Sequence, residues 1–189
     1  MRPPGNDQNA SVISIPVPTE APVAFDTAAI DGESVFTVSA PWIEGGAIPS
    51  QYSCRGGDVA PVFTWAGSPE STASYALVFL DTTNTSGDGV GFVHYVAYNI
   101  DPTFTSLDTA NTPVGAVVAP SDFSTPGHDV TVWRGPCPPL GQTHTYVIEL
   151  HALDQTLDSL DGATAADVVT AIDAATIATT SVSAVDTGI

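Results

Sequence analysis

The stretch WRGPCPPLGQTHTYVIELHAL, Trp133 to Leu153, decides how this chain is read. It sets an arginine and one of two cysteines among three prolines, then a histidine and a tyrosine two apart, then an alternating apolar run. The prolines fix φ along the first half and deny it backbone donors, which predicts a stiff loop. The second half, TYVIELHAL, has strand periodicity, and residues two apart on a strand share a face. His144 and Tyr146 therefore point the same way. His151 has the opposite parity and is expected to be exposed or at the core edge.

The same texture recurs upstream. SVFTVSAP, VFTWAG, SYALVFLD and FVHYVAYNI read as strands separated by turn-rich segments, which predicts an antiparallel β assembly. On SYALVFLD, Asp81 ends the strand and shares a face with Tyr75, Leu77 and Phe79. On FVHYVAYNI, His94 shares a face with Val96 and Tyr98. In TSGDGVG the glycines mark a hairpin-like loop. Residues 1 to about 33 are rich in proline and small polar residues and read as an extended tail or linker, leaving 34–189 as one domain. Near the C-terminus, Thr164 and Asp167 form a capping-box-like pair. Val168, Val169, Ile172 and Ile177 then mark one helix from about Ala165 to Thr176. The final SVSAVDTGI is expected to be a docked tail.

Composition narrows the function. Of 189 residues 43% are apolar, enough for a core, yet no apolar run approaches the ~20 residues of a membrane span. The N-terminus does not read as a signal peptide. The formal charge is −18, with no lysine and three arginines, Arg2, Arg55 and Arg134. Such a surface repels nucleic acid and anionic lipid headgroups and stays soluble where salt screens it, as on halophilic or marine proteins. The melting temperature is therefore expected to rise between dilute buffer and molar salt. An unchanged value would count against the saline reading.

Asp81, His94 and His144 bring titratable groups to strand ends beside glycine- or proline-rich loops, which suggests a pocket. Each alone reads better as a satisfied core or strand-end residue, and only the three together point to a pocket. If Cys54 and Cys137 lie close in space, Arg55 and Arg134 meet there and offer a small anion a positive spot. The bland alternative has the arginines capping loop carbonyls or pairing with Asp58 and Asp129. The cysteines themselves read as two free thiols or as a pair, and pairing would add roughly 4–5 kcal/mol in the chain-entropy model. No zinc-type spacing, nucleotide loop or serine-hydrolase elbow is present, and DQTLDSLDG lacks EF-hand ligand positions.

The order FTVSAPWIEGGAIPSQYSC, Asp81, VHYVAYNI, SDF, GPCPPLGQTHTY and HALD resembles the phosphatidylethanolamine-binding protein family, in its bacterial and archaeal Raf-kinase-inhibitor-like branch. The likeness runs from about Val35 to the C-terminus. It implies a mainly β fold, a two-sheet antiparallel β-sandwich with a few short helices, one of them C-terminal. It also implies a small anion or phosphate-headgroup cavity formed by Asp81, His94, Pro138, Pro139, His144 and Tyr146, and a homodimer. Departures cluster at the cavity: DTTNT stands where the family has a Pro-Asp-Ala-Pro run, Arg55 replaces an Asp or Asn, and Arg134 replaces a glycine.

The combined expectation is a non-catalytic binder of a small anionic ligand that uses those residues together with Arg134, without cofactor or metal. The alternatives are an enzyme using a His/Asp pair for acid–base chemistry and a protein-interaction or inhibitor module. A Cys54–Cys137 disulfide goes with maturation outside the cytosol, the side to which the compartment leans.

Overall fold

The computed structural model describes residues 34–85 and 90–189. The tail reading of 1–33 and the middle of the TSGDGVG loop fall outside the described residues.

Among the described residues eight strands and one α-helix follow in order, besides a short 3-10 turn at Ser50–Tyr52: β1 (Thr37–Ser39), β2 (Val62–Ala66), β3 (Ser74–Asp81), β4 (Phe92–Ile100), β5 (Ser106–Asp108), β6 (Val117–Val118), β7 (Thr143–Leu153), α1 (Ala165–Ala175) and β8 (Thr176–Thr187). They form two antiparallel sheets. The smaller has the order β1-β2-β5 and the larger β6-β4-β3-β7-β8. Every residue of the central strand β3 is buried, which is why its sequence is apolar almost throughout rather than alternating. Tyr75, Leu77 and Phe79 pack with Val38, Phe63, Trp65 and Leu107 of the small sheet. Ala76, Val78 and Leu80 pack on the other side with Val168, Val169 and Ile172 of α1. Fully burying a residue such as Phe63 or Leu77 contributes roughly 1.5–3 kcal/mol, so these two cores hold the layers together.

Helix α1 starts as its residues predict. The Thr164 hydroxyl accepts from the Asp167 N–H, and the Asp167 carboxylate accepts from Thr164 in return. Its end differs from expectation. Thr176 leaves the helix at φ −74°, ψ 127° and begins β8 with no intervening loop, so Ile177 sits half-exposed on a strand rather than on the helical stripe.

The expected docked tail is likewise a strand. Ser181–Thr187 continues β8 and pairs with β7 as far as Thr143↔Thr187. The β-branched and small residues of TIATTSVSAV suit a pleated surface, and β7 would otherwise expose an open edge. β1 is shorter than SVFTVSAP suggests and begins at Thr37.

His151 is buried, not exposed, with only 3% of its surface accessible. Its parity was right, but the face it points to lies where α1 passes into β8. Its Nδ1 is 3.1 Å from the Thr176 hydroxyl, and Glu149 lies 3.5 Å from its Nε2.

Candidate functional site

The register of the large sheet gathers the polar residues at one end. Asp81, the last residue of β3, pairs with Phe92 at the start of β4 and with Tyr146 near the start of β7. Parity correctly put Asp81, His144 and Tyr146 on one face. His94 reaches that face by a different route. Phe79 pairs with Tyr95 and Leu80 with Val93, so His94 is an extra residue, a β-bulge. Val96 and Tyr98, its expected neighbours, pack on the α1 side. His94 instead lies against Phe79 and Tyr146, with ring centroids 5.2 and 5.5 Å away. Bulges re-aim a side chain in this way, often beside functional sites.

The carboxylate of Asp81 is 3% exposed and fully occupied. Its Oδ1 accepts from the backbone N–H groups of Thr83 (2.9 Å) and Asn84 (3.0 Å). Its Oδ2 lies 2.6 Å from Nδ1 of His144. A carboxylate only accepts, so His144 carries its proton on Nδ1 and turns Nε2 away from Asp81. There the carboxamide of Gln142 is the neighbour, at a long 3.3 Å. His94 is arranged alike: its Nδ1 donates to the Arg134 carbonyl at 2.9 Å. Its Nε2 is the nitrogen not engaged by that carbonyl. Burial lowers the pKa of His94, against the smaller opposing pull of the Arg134 carbonyl and the charge of Asp81. Burial foremost, then the negative charges of Asp81 and Asp186, push Tyr146 well above the ordinary tyrosine range, so its hydroxyl stays a donor.

The stiff loop supplies the opposite wall. Trp133 stacks on Phe79 with centroids 4.6 Å apart. Gly135 donates its N–H to Asp58 at 2.6 Å. A Cβ there would lie 1.9 Å from the Tyr52 carbonyl oxygen, so only glycine allows the loop to seat. The Cys54 N–H donates to the Pro136 carbonyl at 3.0 Å, Arg55 donates to the Pro138 carbonyl at 2.8 Å, and Cys54 and Cys137 are joined in a disulfide.

The result is a cavity of about 460 Å³ lined by Asp81, His94, His144, Tyr146, Cys137 and Pro139, with Thr83, Asn84 and Gln142 on the polar side and Phe92 and Phe123 on the apolar side. Five of the seven sequence-predicted site residues, Asp81, His94, Pro139, His144 and Tyr146, line it, and Pro138 is buried without lining it.

Arg134 does not join them. Its guanidinium lies 3.7 Å from Asp58 and faces a neighbouring cavity. What it gives the first cavity is its backbone carbonyl. Both arginines thus follow the bland reading, one on a loop carbonyl and one on an aspartate.

Phe92 and Phe123 were missed. Phe92 had a parity signal, since it lies two before His94. Phe123 comes from a loop with no parity signal, and only the SDF string of the family resemblance touched it. The two rings meet edge to face at 4.8 Å, and Phe123 lies 5.0 Å from the His94 ring.

The structure is thus a two-sheet β protein with a histidine-lined cavity at one end of its larger sheet. The family model described as phosphatidylethanolamine-binding protein matches residues 38–186, and the chain belongs to that family. The UPF0098 protein of Methanothermobacter thermautotrophicus is 38% identical over 133 residues, 68% of this chain and 82% of its own length. The putative lipoprotein LppC of Mycobacterium tuberculosis is 35% identical over 159 residues, 82% of this chain and 74% of its own. The crystal structure of Escherichia coli YbcL, described as a new member of the mammalian PEBP family, matches with a TM-score of 0.71. It is 29% identical and is covered over 98% of its length, against 80% of this chain. Among the described residues no helix is long and apolar enough to cross a membrane.

Proposed function

We propose that the cavity binds a small phosphate- or carboxylate-bearing ligand and does not transform it. The observation that carries this reading is the shared orientation of the two histidines. Each spends Nδ1 on a fixed acceptor, Asp81 or the Arg134 carbonyl, and turns Nε2 elsewhere, with a long 3.3 Å contact to Gln142 in the case of His144. Protonated, each Nε2 becomes a charge-assisted donor, and the Tyr146 hydroxyl, which bonds to Asp81, lines the same wall. Asp81 then balances the charge on His144 rather than facing the anion. The disulfide and prolines hold the loop in place, so little ordering is needed on binding. The disulfide, together with a relative named as a lipoprotein, supports a location outside the cytosol.

The pH dependence follows from His94. An anion favours its protonated form, but burial lowers its pKa, so binding is expected to tighten only as pH falls below the ordinary histidine value of about 6.5. Without ligand the sign for stability is opposite. The unfolded chain takes up that proton first, so stability falls as pH drops through about 6.5 towards the lowered folded value. Titration calorimetry with inorganic phosphate tests the first point, and urea denaturation without ligand across the same pH range tests the second. His144→Ala and His94→Ala are each expected to weaken binding about tenfold or more, and His151→Ala about twofold or less. Equal losses for His144→Ala and His151→Ala, or affinity flat between pH 5 and 8, would sink the site.

One observation favours a second reading. The 2.6 Å Asp81–His144 contact is also how a general base is oriented. Phosphorus NMR of simple phosphomonoesters incubated with the protein separates the two. Unchanged resonances support binding alone, and release of phosphate supports acid–base catalysis.

A further inference from the structure

A second cavity, of about 350 Å³, meets the first at Phe123 and Cys137, which line both. Its charged groups are Arg134 and Asp58, with His128 beside them. The Arg134–Asp58 contact is long, 3.7 Å, and both side chains keep exposed surface, 50% and 27%. Asp58 is fixed from behind by the Gly135 N–H at 2.6 Å, so its position does not depend on the arginine. The pair therefore sets one positive and one negative group side by side at the cavity wall, with most of the guanidinium donors unspent.

We propose that this second cavity is a subsite for a zwitterionic α-amino acid end, and that the full ligand is a phosphorylated amino acid spanning both cavities. The proposal rests on the reading of the first cavity as the phosphate site. Arg134 takes the α-carboxylate through its planar fork, Asp58 takes the α-ammonium, and the phosphate lies on His94, His144 and Tyr146. The charges select this class. A second carboxylate without an ammonium would face the Asp58 charge. An ammonium without a carboxylate would leave Arg134 unmatched and lie beside a like charge. Only a group carrying both signs completes the pair. The overall charge of −18 adds weight, because it disfavours a ligand with unbalanced negative charge away from the histidines.

Three probes with one phosphate each decide it by calorimetry: phosphoserine, phosphoethanolamine, which lacks the carboxylate, and 3-phosphoglycerate, which lacks the ammonium. Phosphoserine is expected to bind about tenfold more tightly than either of the others. Arg134→Gln is expected to bring the ratio of phosphoserine to phosphoethanolamine affinity close to one. Arg134→Lys retains the charge but not the fork, and should keep part of the ratio. It also guards against a folding defect in the first variant. Equal affinities for the three probes in the unaltered protein would overturn the subsite and leave the phosphate cavity standing. No binding of any probe would overturn both readings. An unchanged ratio in both folded Arg134 variants would overturn the assignment to Arg134.

Discussion

Replacing Asp81 with alanine is expected to cost roughly 3–5 kcal/mol of stability, far more than removing any ligand-facing ring. The carboxylate accepts from the N–H groups of Thr83 and Asn84 and from Nδ1 of His144, and the Tyr146 hydroxyl bonds to it as well. Alanine removes the acceptor from all of them. The imidazole suffers most, because His144 is 9% exposed and has no other acceptor at Nδ1. Asp81→Asn keeps an oxygen for the two backbone donors and loses only the charged contact, so it should fall about midway. Urea denaturation at neutral pH checks the series. A loss below 1 kcal/mol for Asp81→Ala, with unchanged m-value, would mean that the carboxylate serves the ligand and not the fold.

That dual role explains why so much of the site was legible in sequence. Asp81, His144 and Tyr146 are polar groups on otherwise apolar strand faces, and parity alone relates them. His94 was found for a reason that failed. Its expected companions Val96 and Tyr98 lie on the other side of the sheet, because parity cannot foresee a bulge. Arg134 was the reverse case: its guanidinium, expected at the anion, pairs with Asp58, and only its backbone carbonyl reaches His94.

The rest depended on long-range packing. His151 looks outward by strand parity, and only the passage of α1 into β8 over that face buries it. β8 carries weak strand signals in small residues, and its partner β7 defines it. Phe123 reaches the rim from a loop whose course no periodicity describes. The cysteine pairing was open on composition alone. The stiff loop settles it, because backbone hydrogen bonds bring residues 54 and 136 together before the sulfur atoms are considered.

Opening the disulfide is expected to cost about 4–5 kcal/mol, comparable to the loss of Asp81 but by another physical route. The bond joins residues 83 positions apart, and closing so long a loop removes about 4.5 kcal/mol of unfolded-chain entropy in the simple model. The folded loop does not rely on it alone. The Cys54 N–H still donates to Pro136, Arg55 to Pro138, and Gly135 to Asp58. The effect therefore acts mainly through the unfolded state. The Trp133–Phe79 stack should persist, and the near-UV circular dichroism of the reduced protein should match that of the oxidised form below the unfolding transition. The urea midpoint should drop, and the m-value should rise as the unfolded chain expands. A Cys54→Ser, Cys137→Ser double variant reproduces this without reductant. A stability difference under 1 kcal/mol would show that the loop is already closed in the unfolded ensemble. Loss of the near-UV signal at equal temperature and pH would show instead that the bond holds the cavity wall in place.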